Sequence, residues 1–161
     1  MNLTHDVTTN PPVGGATRQV LPRRIFVAED DDDTRTLVVT AFVEDGHDVV
    51  GLRDGAELLE CLDMVARDAL RAPDLLAMGA GVAGRSEIEL LERIRRSGWQ
   101  TPTVVMSWIA SSRMRARVDL AAPAALLTKP FNMAELRRTS SRVLARAESF
   151  RAGVTSTAAT R

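Results

Sequence analysis

Three features of this 161-residue chain carry residue types whose spacing could do chemistry. The first is "GAGVAG", residues 79–84, set between an apolar run, "PDLLAM", and an amphipathic one, "SEIELLERI". A G-x-G-x-x-G between a strand and a helix is the pattern that cradles a dinucleotide pyrophosphate. That chemistry needs two further things: a place in the first strand–helix unit, and an acid about 20 residues on to hold the ribose. Here the glycines follow the third predicted strand, and no acid occurs between Glu92 and Asp119. A nucleotide-binding α/β protein therefore stays only as the third alternative. The second feature is the acidic run "EDDDD" at 29–33, which also suits a helix start, where the macrodipole favours negative charge. The third is Lys129 in "LLTKPF", the one lysine in a chain whose other 20 basic residues are arginine. Lysine differs from arginine in being a compact point charge on a thin stem.

These residues need elements to hold them. "RIFVA" (24–28), "DVVGL" (48–52), "DLLAM" (74–78), "PTVVMS" (102–107) and "AALLT" (124–128) read as short buried strands. Between them lie helical patterns. Leu37, Val38, Ala41 and Phe42 share a face in the first, which Gly46 stops. The second spans about 56–71, with Leu58, Leu59, Leu62, Val65 and Ala66 inward. Ser86 and Glu89 have capping-box spacing at the third, as do Asn132 and Glu135 at the last. Strands alternating with helices predict an α/β parallel sheet with right-handed crossovers. In such sheets the functional groups gather at the carboxyl ends of the strands. Those ends are Glu29 and Asp30, Gly79, Ser107 and Lys129.

Composition bounds the rest. Net charge is zero and 45% of residues are apolar, which suits one domain with one core. Residues 1–54 carry ten acids and five bases, whereas 111–161 carry three acids and ten bases. That asymmetry would steer an acidic partner to the C-terminal half. The single cysteine, Cys61, reads as a core or boundary residue and suits a reducing compartment. No signal peptide and no run of membrane length is present, so a cytoplasmic protein is expected. Residues 1–22 read as a flexible arm, 23–149 as the domain and 150–161 as a polar tail.

The strand-end set resembles the active site of a response-regulator receiver domain, the phosphorylatable module of two-component signalling. The likeness runs from about Arg24 to Leu144 and rests on "IFVAEDDDDTR", "LRDGAELLE", "PTVVMS" and "LLTKPF" in that order. It implies a flavodoxin-like, doubly wound (βα)5 parallel sheet of strand order 2-1-3-4-5. It also implies Glu29 and Asp30 as the pair for Mg2+, Ser107 as the hydroxyl that detects phosphate, and Lys129 as the active-site lysine. The bond between Lys129 and Pro130 is then expected to be cis. Mg2+ is a hard cation that takes oxygen ligands, and it offsets charge on a transferred phosphoryl group.

One position breaks the pattern. The phosphoacceptor Asp aligns with Gly79, which has no side chain. Its surroundings differ as well. Ala83-Gly84 stands for Pro-Gly, Glu87 for a Gly, Leu126 for the aromatic switch residue, and Trp108 for a small residue. This is the pattern expected of a naturally degenerate site, a pseudo-receiver, with a Gly79 variant of an active receiver as the alternative. Asp74 lies five residues from Gly79, about 16 Å at strand rise, on the wrong end of the sheet. Asp31 is near enough in sequence to be weighed as a substitute acceptor, which would make the chain a working phosphorelay receiver. The expectation is weak or vestigial Mg2+ binding by Glu29 and Asp30, with water or the Gly81 carbonyl filling in. Repulsion between the two acids should raise one pKa, with Lys129 as the internal partner. No enzymatic activity is expected. The function expected is phosphorylation-independent protein binding by a stand-alone module, to a histidine kinase or a signalling scaffold. By the resemblance, the partner or homodimer face spans about 111–121, 124–128 and 132–147, and bears Arg113, Arg115, Arg117, Leu126, Arg137, Arg138, Arg142 and Arg146. Nucleic acid is not expected, since no aromatic–basic interleaving accompanies the arginines.

Overall fold

The computed structural model describes residues 21–79, 81 and 84–158. Ten elements alternate: β1 (Arg24–Ala28), α1 (Asp32–Glu44), β2 (Asp48–Leu52), α2 (Gly55–Ala66), β3 (Leu75–Met78), α3 (Glu87–Arg96), β4 (Thr103–Ser107), α4 (Ser112–Leu120), β5 (Ala124–Thr128) and α5 (Met133–Ala158). The strands form one parallel sheet of order β2-β1-β3-β4-β5. This is the flavodoxin-like arrangement that the sequence implied. The order reverses at β1, so a crevice opens beyond the carboxyl ends of β1 and β3.

The pleat divides the core in two. Phe26, Leu76, Met78 and Val105 face the layer of α2, α3 and α4, packing on Leu58, Leu62, Leu91 and Ile94. Ile25, Val27, Leu75, Ala77, Val104 and Met106 face α1 and α5, packing on Val38, Phe42, Leu136 and Val143. β1, β3 and β4 are covered on both faces, which is why they read as unbroken apolar runs.

Polar caps fix where the helices begin. The Asp31 side chain accepts from Thr34 N at 2.7 Å and Asp54 accepts from Ala56 N at 2.8 Å. Both expected capping pairs form: Glu89 accepts from Ser86 N, and Asn132 and Glu135 exchange bonds, each at 2.9 Å. Such caps contribute about 1 kcal/mol each.

Four expectations need correction. Leu37 is 59% exposed, because Val38, Ala41 and Phe42 take the sheet-facing stripe and leave it at the side of α1. Ala66 is likewise exposed, at the end of α2. That helix stops there instead of near 71, since Asp68 turns the chain through a left-handed conformation at φ 57°. The last helix runs on to Ala158, past the predicted end near 149. Most of the predicted N-terminal arm, together with Ala80, Val82, Ala83 and residues 159–161, lies outside the described residues. No described helix is long and apolar enough to cross a membrane.

Candidate functional site

Sheet pairing carried one step past the strands assembles the site. Glu29 N donates to Leu52 O at 3.1 Å, Gly79 N to Ala28 O at 2.8 Å, and Lys129 N to Ser107 O at 2.8 Å. Glu29, Gly79, Ser107 and Lys129 therefore share one floor at the carboxyl edge. Lys129 reaches inward and donates to Glu29 Oε2 at 2.7 Å, with Glu29 fully buried and the lysine side chain 7% exposed. Glu29 Oε1 accepts from Asp31 N at 3.3 Å. Burial pushes the Glu29 carboxyl above its ordinary range, against the pull of Lys129. The expected partner is thus present, but burial, and not repulsion between the two acids, is the main cause.

The other acids of "EDDDD" have separate tasks. Asp30 is exposed. Asp31 caps α1, and that hydrogen bonding from Thr34 holds its carboxyl below the usual range. Asp32 and Asp33 occupy the first turn of α1, where Asp32 pairs with Arg35. Asp74 is bonded to Arg24 N at the opposite edge of the sheet, at 2.8 Å. Ser107 is buried and accepts from Ile109 N at 3.1 Å. Trp108 is 72% exposed, its ring centroid 6.0 Å from the Lys129 ammonium. The Lys129–Pro130 bond is cis, as is Ala122–Pro123.

The glycines of the loop act by close approach. A Cβ on Gly79 would stand 1.9 Å from Glu29 Oε2 and 3.2 Å from Lys129 Nζ. A Cβ on Gly81 would stand 1.7 Å from the Arg85 carbonyl oxygen, and Gly81 O accepts from Gly55 N at 3.1 Å.

The residues do not fit a divalent cation as they are arranged. Glu29 has one oxygen on an ammonium and one on a backbone amide, Gly79 offers no side-chain ligand, the Gly81 carbonyl already accepts from Gly55 N, and the exposed Asp30 is the one carboxylate of the pair left over. Among the described residues, no group of three or more His, Cys, Asp or Glu is gathered for a metal.

The arginines divide by partner. Arg117 is bidentate to Glu92 at 2.7 and 2.8 Å, and Arg137 turns to Asp45 at 2.7 Å. Both are thus engaged within the chain while their side chains stay partly exposed. Arg115, Arg142 and Arg146 line a groove of about 460 Å³ whose floor is Val118, Ala124, Ala125 and Leu126. Asp119 is the acid in that lining. Arg113 and Arg138 are exposed nearby on α4 and α5.

Sequence reasoning missed Arg95. Its guanidinium donates to the carbonyls of Trp99, Ala121, Thr101 and Pro123 at 2.9 to 3.2 Å, and to Thr103 Oγ1. Burial without a carboxylate pulls it down to about 10. Nothing in "ERIRRSG" separates it from its neighbours, apart from the helical phase it shares with Leu91.

A doubly wound sheet whose strand ends join an acid, a hydroxyl and a lysine defines a receiver-type α/β module. The response regulator receiver domain family matches residues 25–140, and the chain belongs to it. It is a receiver-domain protein of two-component signal transduction. The transcriptional regulatory protein PdtaR of Mycobacterium tuberculosis is 30% identical over 117 residues, covering 72% of this chain and 54% of that protein. The regulator TrcR from the same species is 29% identical, covering 71% and 42%. The chain thus spans about half the length of the curated relatives it matches. Among solved structures, the receiver domain of Francisella response regulator 1452 has a TM-score of 0.67 at 24% identity, covering 78% of this chain and 98% of that one. Chemotaxis protein CheY4 of Vibrio cholerae has a TM-score of 0.64 at 20% identity, covering 76% and 98%. These structures share the fold.

Proposed function

We propose that this receiver module works without aspartyl phosphate and signals by binding an acidic protein partner through α4, β5 and α5. One observation carries the reading. With Gly79 read as the acceptor position, β3 ends without a carboxylate, and two of the three nearest acids are engaged elsewhere, while Asp30 is exposed. Glu29 is fully buried against Lys129, and Asp31 caps a helix. Phosphoryl transfer depends steeply on positioning a nucleophile in line with its donor. A buried carboxylate paired to an ammonium does not meet that demand.

The groove supports the choice of partner. Arg115, Arg142 and Arg146 present guanidiniums that have no carboxylate within salt-bridge distance among the described residues, beside Val118, Ala124, Ala125 and Leu126. Carboxylates on an extended or helical segment would pair with them. The placement suits a cytoplasmic role beside a histidine kinase or scaffold.

Incubation of the full chain with Mg2+ and a small phosphodonor, read by intact mass, tests the first half. No gain of a phosphoryl group is expected; a base-labile gain would instead establish a phosphorelay receiver using a substitute carboxylate. Anisotropy of a labelled polyglutamate peptide tests the second half. Salt-sensitive binding that Arg142→Glu with Arg146→Glu abolishes is expected, and equal binding by that variant would overturn the assignment of the face.

A further inference from the structure

We infer that Glu29 and Gly79 form a linked pair, in which Glu29 occupies the space of the side chain missing at position 79 and serves as the resident counter-charge of Lys129. The inference rests on reading this pocket as a degenerate receiver site, and it says what fills that site. Three measurements converge on it. Glu29 Oε2 lies 1.9 Å from where a Cβ of residue 79 would stand, and Glu29 Cδ lies 2.9 Å from it. No side chain at 79 is compatible with that carboxylate position, since nonbonded carbon and oxygen atoms do not approach so closely. The same oxygen is 2.7 Å from Lys129 Nζ, so the carboxylate is held where it is by charge. Both groups are nearly or wholly buried, which makes each the main compensation for the other.

The consequence concerns metal. A carboxylate turned inward onto an ammonium cannot also face a cation beside Asp30. The Lys129 charge is therefore balanced within the protein by Glu29, an arrangement that the glycine permits. A carboxylate placed at 79 would take over Lys129, evict Glu29 and free it to face outward. Mg2+ binding is thus latent in this chain and controlled by position 79. A missing acceptor alone would remove one ligand and leave the acidic pair as it was.

Thermal unfolding of the full chain, with and without millimolar Mg2+, tests the pairing. Gly79→Ala should lower Tm by at least about 5 °C in the natural chain, by prying the pair apart, and by less than about 2 °C in a Lys129→Met background. Equal losses in the two backgrounds would overturn the inference. Mg2+ should raise the Tm of Gly79→Asp and leave that of the natural chain unchanged. A rise of similar size in the natural chain, or none in a folded Gly79→Asp variant, would also overturn it. If Gly79→Asp does not fold, the alanine cycle decides alone. Intact mass after phosphodonor treatment of the natural chain tests the phosphate-independent reading separately, and the Glu29–Lys129 coupling stands or falls without it.

Discussion

Glu29 and Lys129 are 100 residues apart, yet they form an ion pair whose two side chains are nearly or wholly buried. Removing one partner of a buried pair costs more than the pair itself contributes, because a charge is left without compensation. Lys129→Met should therefore lose about 3 kcal/mol in urea denaturation at neutral pH. Lys129→Arg should not restore this, since a planar guanidinium does not fit a space shaped for an ammonium. That Lys129 would meet an acid of the pair followed from the resemblance to receiver domains, with its place at a strand end and its being the sole lysine as pointers, and the structure gives it Glu29. The descent of Glu29 into the space beside Gly79 was not legible in the sequence, because it depends on a side-chain rotamer and on two loops meeting. His47 shows the opposite kind of titration. Burial depresses its pKa, and its neutral Nδ1 accepts from Arg23 N at 3.3 Å while Phe42 packs beside it. The Asp45 carboxylate favours the charged form and Arg23 opposes it. With the folded pKa below the ordinary 6.5, the unfolded chain binds more protons as pH falls. The His47 contribution is fully present above that value and is lost as pH drops through the folded pKa. His47→Gln should flatten this part of the stability profile, measured by thermal melts between neutral and mildly acidic pH.

The elements were readable wherever apolar periodicity decided them. All five strands and the capped starts of α3 and α5 follow from local pattern, because buried strands and caps are local choices. The misread ends have tertiary or conformational causes. α2 stops when Asp68 takes a left-handed conformation with no glycine to announce it, and Leu37 is left out of the core because Val38, Ala41 and Phe42 take the sheet-facing stripe. Arg95 belongs to this scale too. From the last turn of α3 it gathers carbonyls of the loops before β4 and before β5, so three elements are tied by one side chain. Arg95→Met keeps the aliphatic stem but leaves those carbonyls without a donor. We expect a loss of about 3 kcal/mol, measured by urea denaturation, with Arg95→Lys recovering part of it. If Arg95→Met were neutral, the loops would be held by their own packing.

On the scale of the whole molecule, zero net charge conceals an arrangement of poles. The acids of 29–33 sit at the carboxyl edge of the sheet, while Arg115, Arg142 and Arg146 surround a groove beside β5. This bears on self-association. A twofold contact through α4, β5 and α5 would set each copy's arginines against their own equivalents, with Asp119 as the acid in each groove lining. Like charges across an interface cost more as water is removed, and salt relieves the cost only where the pair stays exposed. On the proposed reading, this charge arrangement disfavours a second copy and favours an acidic surface. Light scattering at micromolar concentration and low ionic strength should find a monomer. Arg142→Glu with Arg146→Glu supplies the missing acids opposite Arg115, so the altered face becomes complementary to itself. That variant should shift toward dimer at low salt and return to monomer as salt rises. A natural chain that dimerises at low salt through this face, or a variant that stays monomeric in every condition, would show that apolar packing on Leu126 and Val118 governs the face and charge does not.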